Sequence, residues 1–116
     1  MIISEKLYEI RKLNETFVSE SFSTISAFND NGAIVHYKVN KISDKKIDCD
    51  GLYLIDSGGH YLEGTTDVTR TLLVGKAKVE MIEDYTDVLK GHIAVATAIF
   101  PEKTFGREID SFARSQ

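Results

Sequence analysis

Asp56-Ser57-Gly58-Gly59-His60-Tyr61-Leu62-Glu63-Gly64-Thr65-Thr66-Asp67-Val68-Thr69-Arg70-Thr71 is the stretch around which the rest of the chain arranges itself. Directly ahead of it runs Leu52-Tyr53-Leu54-Ile55, an unbroken apolar segment that suits a strand buried on both faces, with Asp56 where that strand ends. Ser57-Gly58-Gly59 and Glu63-Gly64 supply turn chemistry, and His60-Tyr61-Leu62 between them is short and ambiguous. Residues 66–74 alternate β-branched and polar side chains as a strand does. The reading is a β-meander with an aspartate at each of two strand edges.

Upstream, Leu7, Ile10, Leu13 and Phe17 recur at three- and four-residue steps among charged residues, which predicts an amphipathic helix over residues 4–20. Residues 22–28 and 33–37 are strand-prone runs on either side of Asn29-Asp30-Asn31-Gly32, which predicts a hairpin. Downstream of Lys78, Ile82, Tyr85, Leu89, Ile93, Ala96 and Phe100 keep one apolar face, the pattern of a long helix. Pro101 and Gly106 frame a loop, and a further helix starts at Arg107 with Ile109 and Phe112 on one side. No repeat or low-complexity linker interrupts the chain, so residues 1–116 read as one domain of α+β class, with an antiparallel or mixed sheet and helices packed on one face.

Composition narrows the partners. With 42% hydrophobic and 28% charged residues the chain can form a core. Its net charge of −4 is spread without a cationic run, which argues against nucleic acid and anionic membrane surfaces as partners. The lone Cys49 has no internal disulfide partner, and Glu5, Glu9 and Glu15 stand where a secretion signal would be apolar. A reducing cytoplasm is the expected setting.

Adjacent antiparallel strands would bring Asp56 and Asp67 together, and two such carboxylates can converge on Mn²⁺, Mg²⁺, Co²⁺ or Zn²⁺, all of which accept oxygen ligands. The same residues also fit a plainer role, since Asp before Ser-Gly-Gly makes an Asx-type turn and Asp67 could hydrogen-bond a loop. His36 reads equally as an ordinary strand histidine. Cys49 lies between Asp48 and Asp50, whose charge disfavours a thiolate nucleophile. The glycines lack the spacing and the lysine of a phosphate loop.

The sixteen-residue stretch as a whole resembles the metal-binding hairpin of Xaa-Pro aminopeptidases. Ser21-Phe22-Ser23-Thr24-Ile25, Asn31-Gly32-Ala33-Ile34-Val35-His36-Tyr37 and Val88-Leu89-Lys90-Gly91-His92-Ile93 resemble other blocks of that family in the same order. The resemblance implies half of a pita-bread fold. It also implies that Asp56 and Asp67 are ligands of a dinuclear centre of two divalent ions, usually manganese, and that His36 contacts substrate near the scissile bond. The implied reaction removes the N-terminal residue of a peptide with proline in second position. In the family pattern one histidine and two glutamates that complete the ligand set lie on a second half, beyond the position of Gln116. No catalytic set is therefore complete in this chain, and weak metal binding with no hydrolysis is expected of it alone. A sheet left open by the missing half predicts a homodimer or larger assembly. The alternative is a non-catalytic fragment or an interaction module.

Overall fold

The computed structural model describes residues 2–115. Contacts divide it into two compact units, one ending at Lys76 and the other beginning at Ala77.

The first unit opens with helix α1, Ile2–Arg11, which carries Glu5 in its first turn and Arg11 in its last, complementing the helix dipole at both ends. The helix stops well short of residue 20. Asn14 Oδ1 accepts hydrogen bonds from the Thr16 amide and the Thr16 hydroxyl, both at 2.9 Å, and this Asx turn offers the backbone an alternative to another helical turn. Strand β1, Phe17–Glu20, follows. The Phe17 ring meets Tyr8 and Tyr61 edge to face at 5.9 and 5.5 Å, contacts that a continued helix would not make.

Strand β2, Ile25–Phe28, leads into a short 3-10 helix, Asn29–Ala33, and not into a hairpin. The expected second strand at residues 33–37 is absent. Tyr37 is buried there, its hydroxyl donating to the Ser43 carbonyl at 2.9 Å, and Asn31 Nδ2 donates to both of these oxygens at 3.0 Å. Those local bonds roll the segment into turns. The partner of β2 is instead strand β3, Gly51–Ser57, through the pairs Ile25↔Asp56 to Phe28↔Tyr53. Asn29, at φ 49°, uses its Oδ1 to accept the Leu52 amide at 3.0 Å and so fastens the start of β3. Leu52, Leu54 and Ile55 are half-buried, so β3 is less enclosed than its apolar run suggests.

Strands β4, Gly59–Tyr61, β5, Gly64–Thr65, and β6, Val68–Val74, complete the unit. The meander is divided between two three-stranded sheets, β1-β4-β5 and β2-β3-β6, and every pairing is antiparallel. One register nevertheless runs through both. Gly51 faces Val74, Ser57 faces Val68, and beyond a gap His60 faces Thr65 and Tyr61 faces Gly64. The chain therefore makes one long hairpin that changes sheet at Gly58. Its interior is small, with Ala27, Phe28, Tyr37 and Tyr53 as the buried apolar residues among those described.

The second unit is helical, with α2, Val79–Ala96, and α3, Gly106–Arg114. Both follow the apolar spacing of the sequence. The Phe105 amide donates to Glu108 Oε2 at 2.7 Å and caps the start of α3. At Gly91 a Cβ would stand 2.5 Å from the Ala113 carbonyl oxygen, so a glycine is what allows the two helices to approach. No helix among the described residues is long and apolar enough to cross a membrane.

Candidate metal centre

Asp56 is the last residue but one of β3, and Asp67 directly precedes β6. Asp56 lies opposite Ile25 on one side and Thr69 on the other. Carrying the β3–β6 register back by two residues sets Asp67 opposite Gly58 and diagonal to Asp56. In a regular ladder such diagonal positions share a sheet face with Cα atoms about 7–8 Å apart; here the pairing ends at Ser57↔Val68, one residue short of Asp67. The β3–β6 pairing is antiparallel, as the sequence predicts.

Their surroundings differ. Asp67 is exposed, whereas Asp56 is half-buried and its Oδ1 is fully enclosed with no hydrogen-bond partner. An enclosed carboxylate oxygen without a donor has lost its water and gained nothing in return, a position that a cation would satisfy. The fit to a metal is that of part of a site. Two carboxylates supply at most four oxygens and two negative charges, and no group of three or more His, Cys, Asp or Glu that could hold a metal occurs among the described residues.

The bend between the two aspartates is bonded from several directions. The Thr66 amide donates to the Gly59 carbonyl at 2.9 Å, and the Gly59 amide donates to Thr66 Oγ1 at 3.0 Å. Ser21 donates its amide to the Gly58 carbonyl at 3.3 Å and its hydroxyl to the Thr66 carbonyl at 3.0 Å. A Cβ on Gly58 would come within 1.9 Å of Thr66 O and 2.4 Å of Ser21 Oγ, so only glycine passes there. Arg11 Nη2 donates to Ser57 Oγ at 3.1 Å from the end of α1. These supports leave no local sequence signal, because Ser21 and Thr66 lie far apart along the chain and only pairing through β4 makes them neighbours.

His36 occupies a different setting. It is exposed, in a turn, with a left-handed φ of 53°, and no hydrogen bond or ion pair among the described residues joins it to Asp56 or Asp67. Non-glycine residues in that region are uncommon, and buried Tyr37 next to it holds the turn in place. His60 lies in β4 with Nδ1 at 2.8 Å from Thr65 Oγ1.

Comparison with known proteins matches residues 2–116 to the model of metallopeptidase family M24. The chain is 53% identical over 111 residues to the probable Xaa-Pro aminopeptidase P of Arthroderma otae, covering 96% of this chain and 18% of the relative. It is 49% identical over 113 residues to Xaa-Pro aminopeptidase 1 of Dictyostelium discoideum, covering 97% of this chain and again 18% of the relative. The chain thus spans under a fifth of the length of these relatives. Its structure superposes with a TM-score of 0.88 and 40% identity on the X-prolyl aminopeptidase of Caenorhabditis elegans, a cytosolic enzyme with a di-nuclear active site, covering 98% of this chain and 19% of that one. The likeness bears out the expected α+β pita-bread class. With its antiparallel aspartate hairpin and a family match over almost its whole length, this chain belongs to metallopeptidase family M24.

Proposed function

We propose that Asp56 and Asp67 are two carboxylate ligands of a dinuclear divalent-metal centre, manganese in preference, that serves hydrolysis of the bond between an N-terminal residue and a following proline. The observation that carries this reading is the enclosed, unpartnered Oδ1 of Asp56, whose ladder partner Thr69 is two residues from Asp67. Two ions held there would supply a Lewis-acid centre and an activated water. The chain's own contribution is to hold two negative charges at a set separation and to exclude donors that would compete for Asp56. His36, on its strained turn, is assigned to the substrate, where a ring nitrogen would hydrogen-bond the carbonyl oxygen of the scissile bond. The expected substrate is a peptide with proline second. The names of the relatives and the di-nuclear centre of the C. elegans enzyme support these assignments.

The same count of ligands makes this chain a part of a catalytic domain that is inactive by itself. It should bind Mn²⁺ weakly and should not cleave Xaa-Pro peptides. We place it in the cytoplasm, as the C. elegans relative is, and assign no nucleic-acid or membrane partner. Calorimetric titration of Mn²⁺ into the chain tests the site. Weak, saturable binding that disappears in Asp67→Ala is expected, and equal binding by wild type and variant would overturn the assignment.

A second reading, a non-catalytic interaction module, is favoured by exposed apolar surface. Two globules with the residue numbers of these units would together expose about 7,600 Å². The chain exposes 8950 Å², with Leu72, Leu73, Val88, Ile99 and Phe105 among the uncovered side chains. Exposed apolar surface, where it is contiguous, marks interfaces. Self-association into a homodimer or larger assembly follows from either reading, and light scattering showing a monomer at high micromolar concentration would refute it.

A further inference from the structure

We infer that Ser21 is a positioning residue that sets the spacing of Asp56 and Asp67, an inference that rests on reading the pair as metal ligands. In a regular ladder Gly59 and Thr66 would exchange two backbone hydrogen bonds. Only one is made, from the Thr66 amide to the Gly59 carbonyl at 2.9 Å. The Gly59 amide turns to Thr66 Oγ1 at 3.0 Å, and the Thr66 carbonyl that it leaves is taken by Ser21 Oγ at 3.0 Å. The Ser21 amide meanwhile holds the Gly58 carbonyl at 3.3 Å.

One residue thus bonds both sides of the gap in the hairpin. Its amide grips the segment two residues beyond Asp56, and its hydroxyl grips the residue before Asp67. Ser21 itself is anchored by β1, whose Glu20 pairs with Gly59. Glycine at 58 leaves the space through which the hydroxyl reaches, since a Cβ there would lie 2.4 Å from Ser21 Oγ. An alanine at 21 would keep the amide bond and lose the cross-gap bond. The β3–β6 ladder up to Ser57↔Val68 would remain, but beyond it the two sides of the gap would be tied only through Thr66 and Gly59, and the Asp67 carboxylate would sample a wider range of positions relative to Asp56. Groups that hold metal ligands in place without touching the metal commonly change affinity by about 10- to 100-fold.

The test uses the whole chain and three forms: wild type, Ser21→Ala and Ser21→Thr. In the absence of metal, amide hydrogen exchange at Thr66 and Gly59 should speed up about fivefold in Ser21→Ala, the equivalent of one net hydrogen bond, and return toward wild type in Ser21→Thr. Mn²⁺ affinity should fall about tenfold or more in Ser21→Ala while the urea midpoint stays close to wild type, with Ser21→Thr restoring affinity. Unchanged exchange at both amides overturns the cross-gap role of Ser21. Faster exchange with unchanged Mn²⁺ affinity overturns its role in spacing the carboxylates. A wild-type chain with no affinity for Mn²⁺ sinks the metal reading instead, and amide exchange still decides whether Ser21 ties the two segments.

Discussion

The hairpin that carries Asp56 and Asp67 and the turn that carries His36 belong to the same unit, yet they are held by different kinds of contact. The hairpin bend is fastened by residues distant in sequence, Arg11 and Ser21 among them, through bonds that reach from α1 and β1. The His36 turn is fastened locally, by Asn31, Tyr37 and Ser43. Long-range bonds fix a separation between two chain segments, which is what a pair of ligands sharing cations requires. Local bonds fix a loop's shape while leaving its tip in solvent, which suits a side chain that meets a substrate. One small sheet unit thus contains a bend tied over long range and a turn tied locally.

The sharpest way to break this comparison is at the bend itself. Gly58→Ala forces a Cβ to within 1.9 Å of the Thr66 carbonyl oxygen, a backbone atom that cannot swing aside, and also onto the Ser21 hydroxyl at 2.4 Å. It should cost about 3 kcal/mol, the upper part of the range for overpacking, and take Mn²⁺ binding with it; chemical denaturation and calorimetry would show both. Retention of full stability would mean that the bend is looser than its hydrogen bonds suggest.

Tyr37→Phe addresses the other region with a smaller effect. It removes the hydroxyl that Asn31 and Ser43 share and should cost about 1–2 kcal/mol, with faster amide exchange confined to residues around His36. Exchange at Gly59 and Thr66 should not change. A response at those two amides would show that the turn and the bend are coupled, contrary to the separation described above.

The smallest effect concerns pH. Burial pushes the Tyr53 hydroxyl above its usual value of 10.0, and its 2.8 Å hydrogen bond with Ser26 pulls it partway back. A hydroxyl that holds its proton more tightly in the folded state than in the unfolded one contributes stability below about pH 10 and loses it as pH rises further. Denaturation between pH 9 and 11 should therefore show a decline that Tyr53→Phe lacks. Protection of the bend amides, relative to intrinsic exchange at the same pH, should match between wild type and Tyr53→Phe at pH 9, because Tyr53 lies on the face of β3 opposite to Asp56.

Much of this was legible in the residues. The two helices of the second unit follow directly from apolar spacing, because a helix meets its neighbours through residues three and four apart. The aspartate pair was legible for a similar reason, since two strands around a short Gly-containing turn have few other ways to pair. The errors fell where a distant partner outweighed a local pattern. Residues 12–20 carry a helical period but give it up at Asn14, and Phe17 then packs on Tyr8 and Tyr61. Residues 33–37 look like a strand and are turned instead, since burying Tyr37 against Ser43 leaves no ladder for them to join.

Residue order alone therefore determined the helix and strand types over most of the chain, the presence of an aspartate hairpin and the family to which it points. Tertiary structure decided the division of that hairpin between two sheets, the enclosure of Asp56 Oδ1, the left-handed turn at His36 and the tie made by Ser21. The physical reason is range. Periodicity and turn chemistry act between neighbours in sequence, whereas register, burial and cross-gap hydrogen bonds exist only after segments tens of residues apart have met.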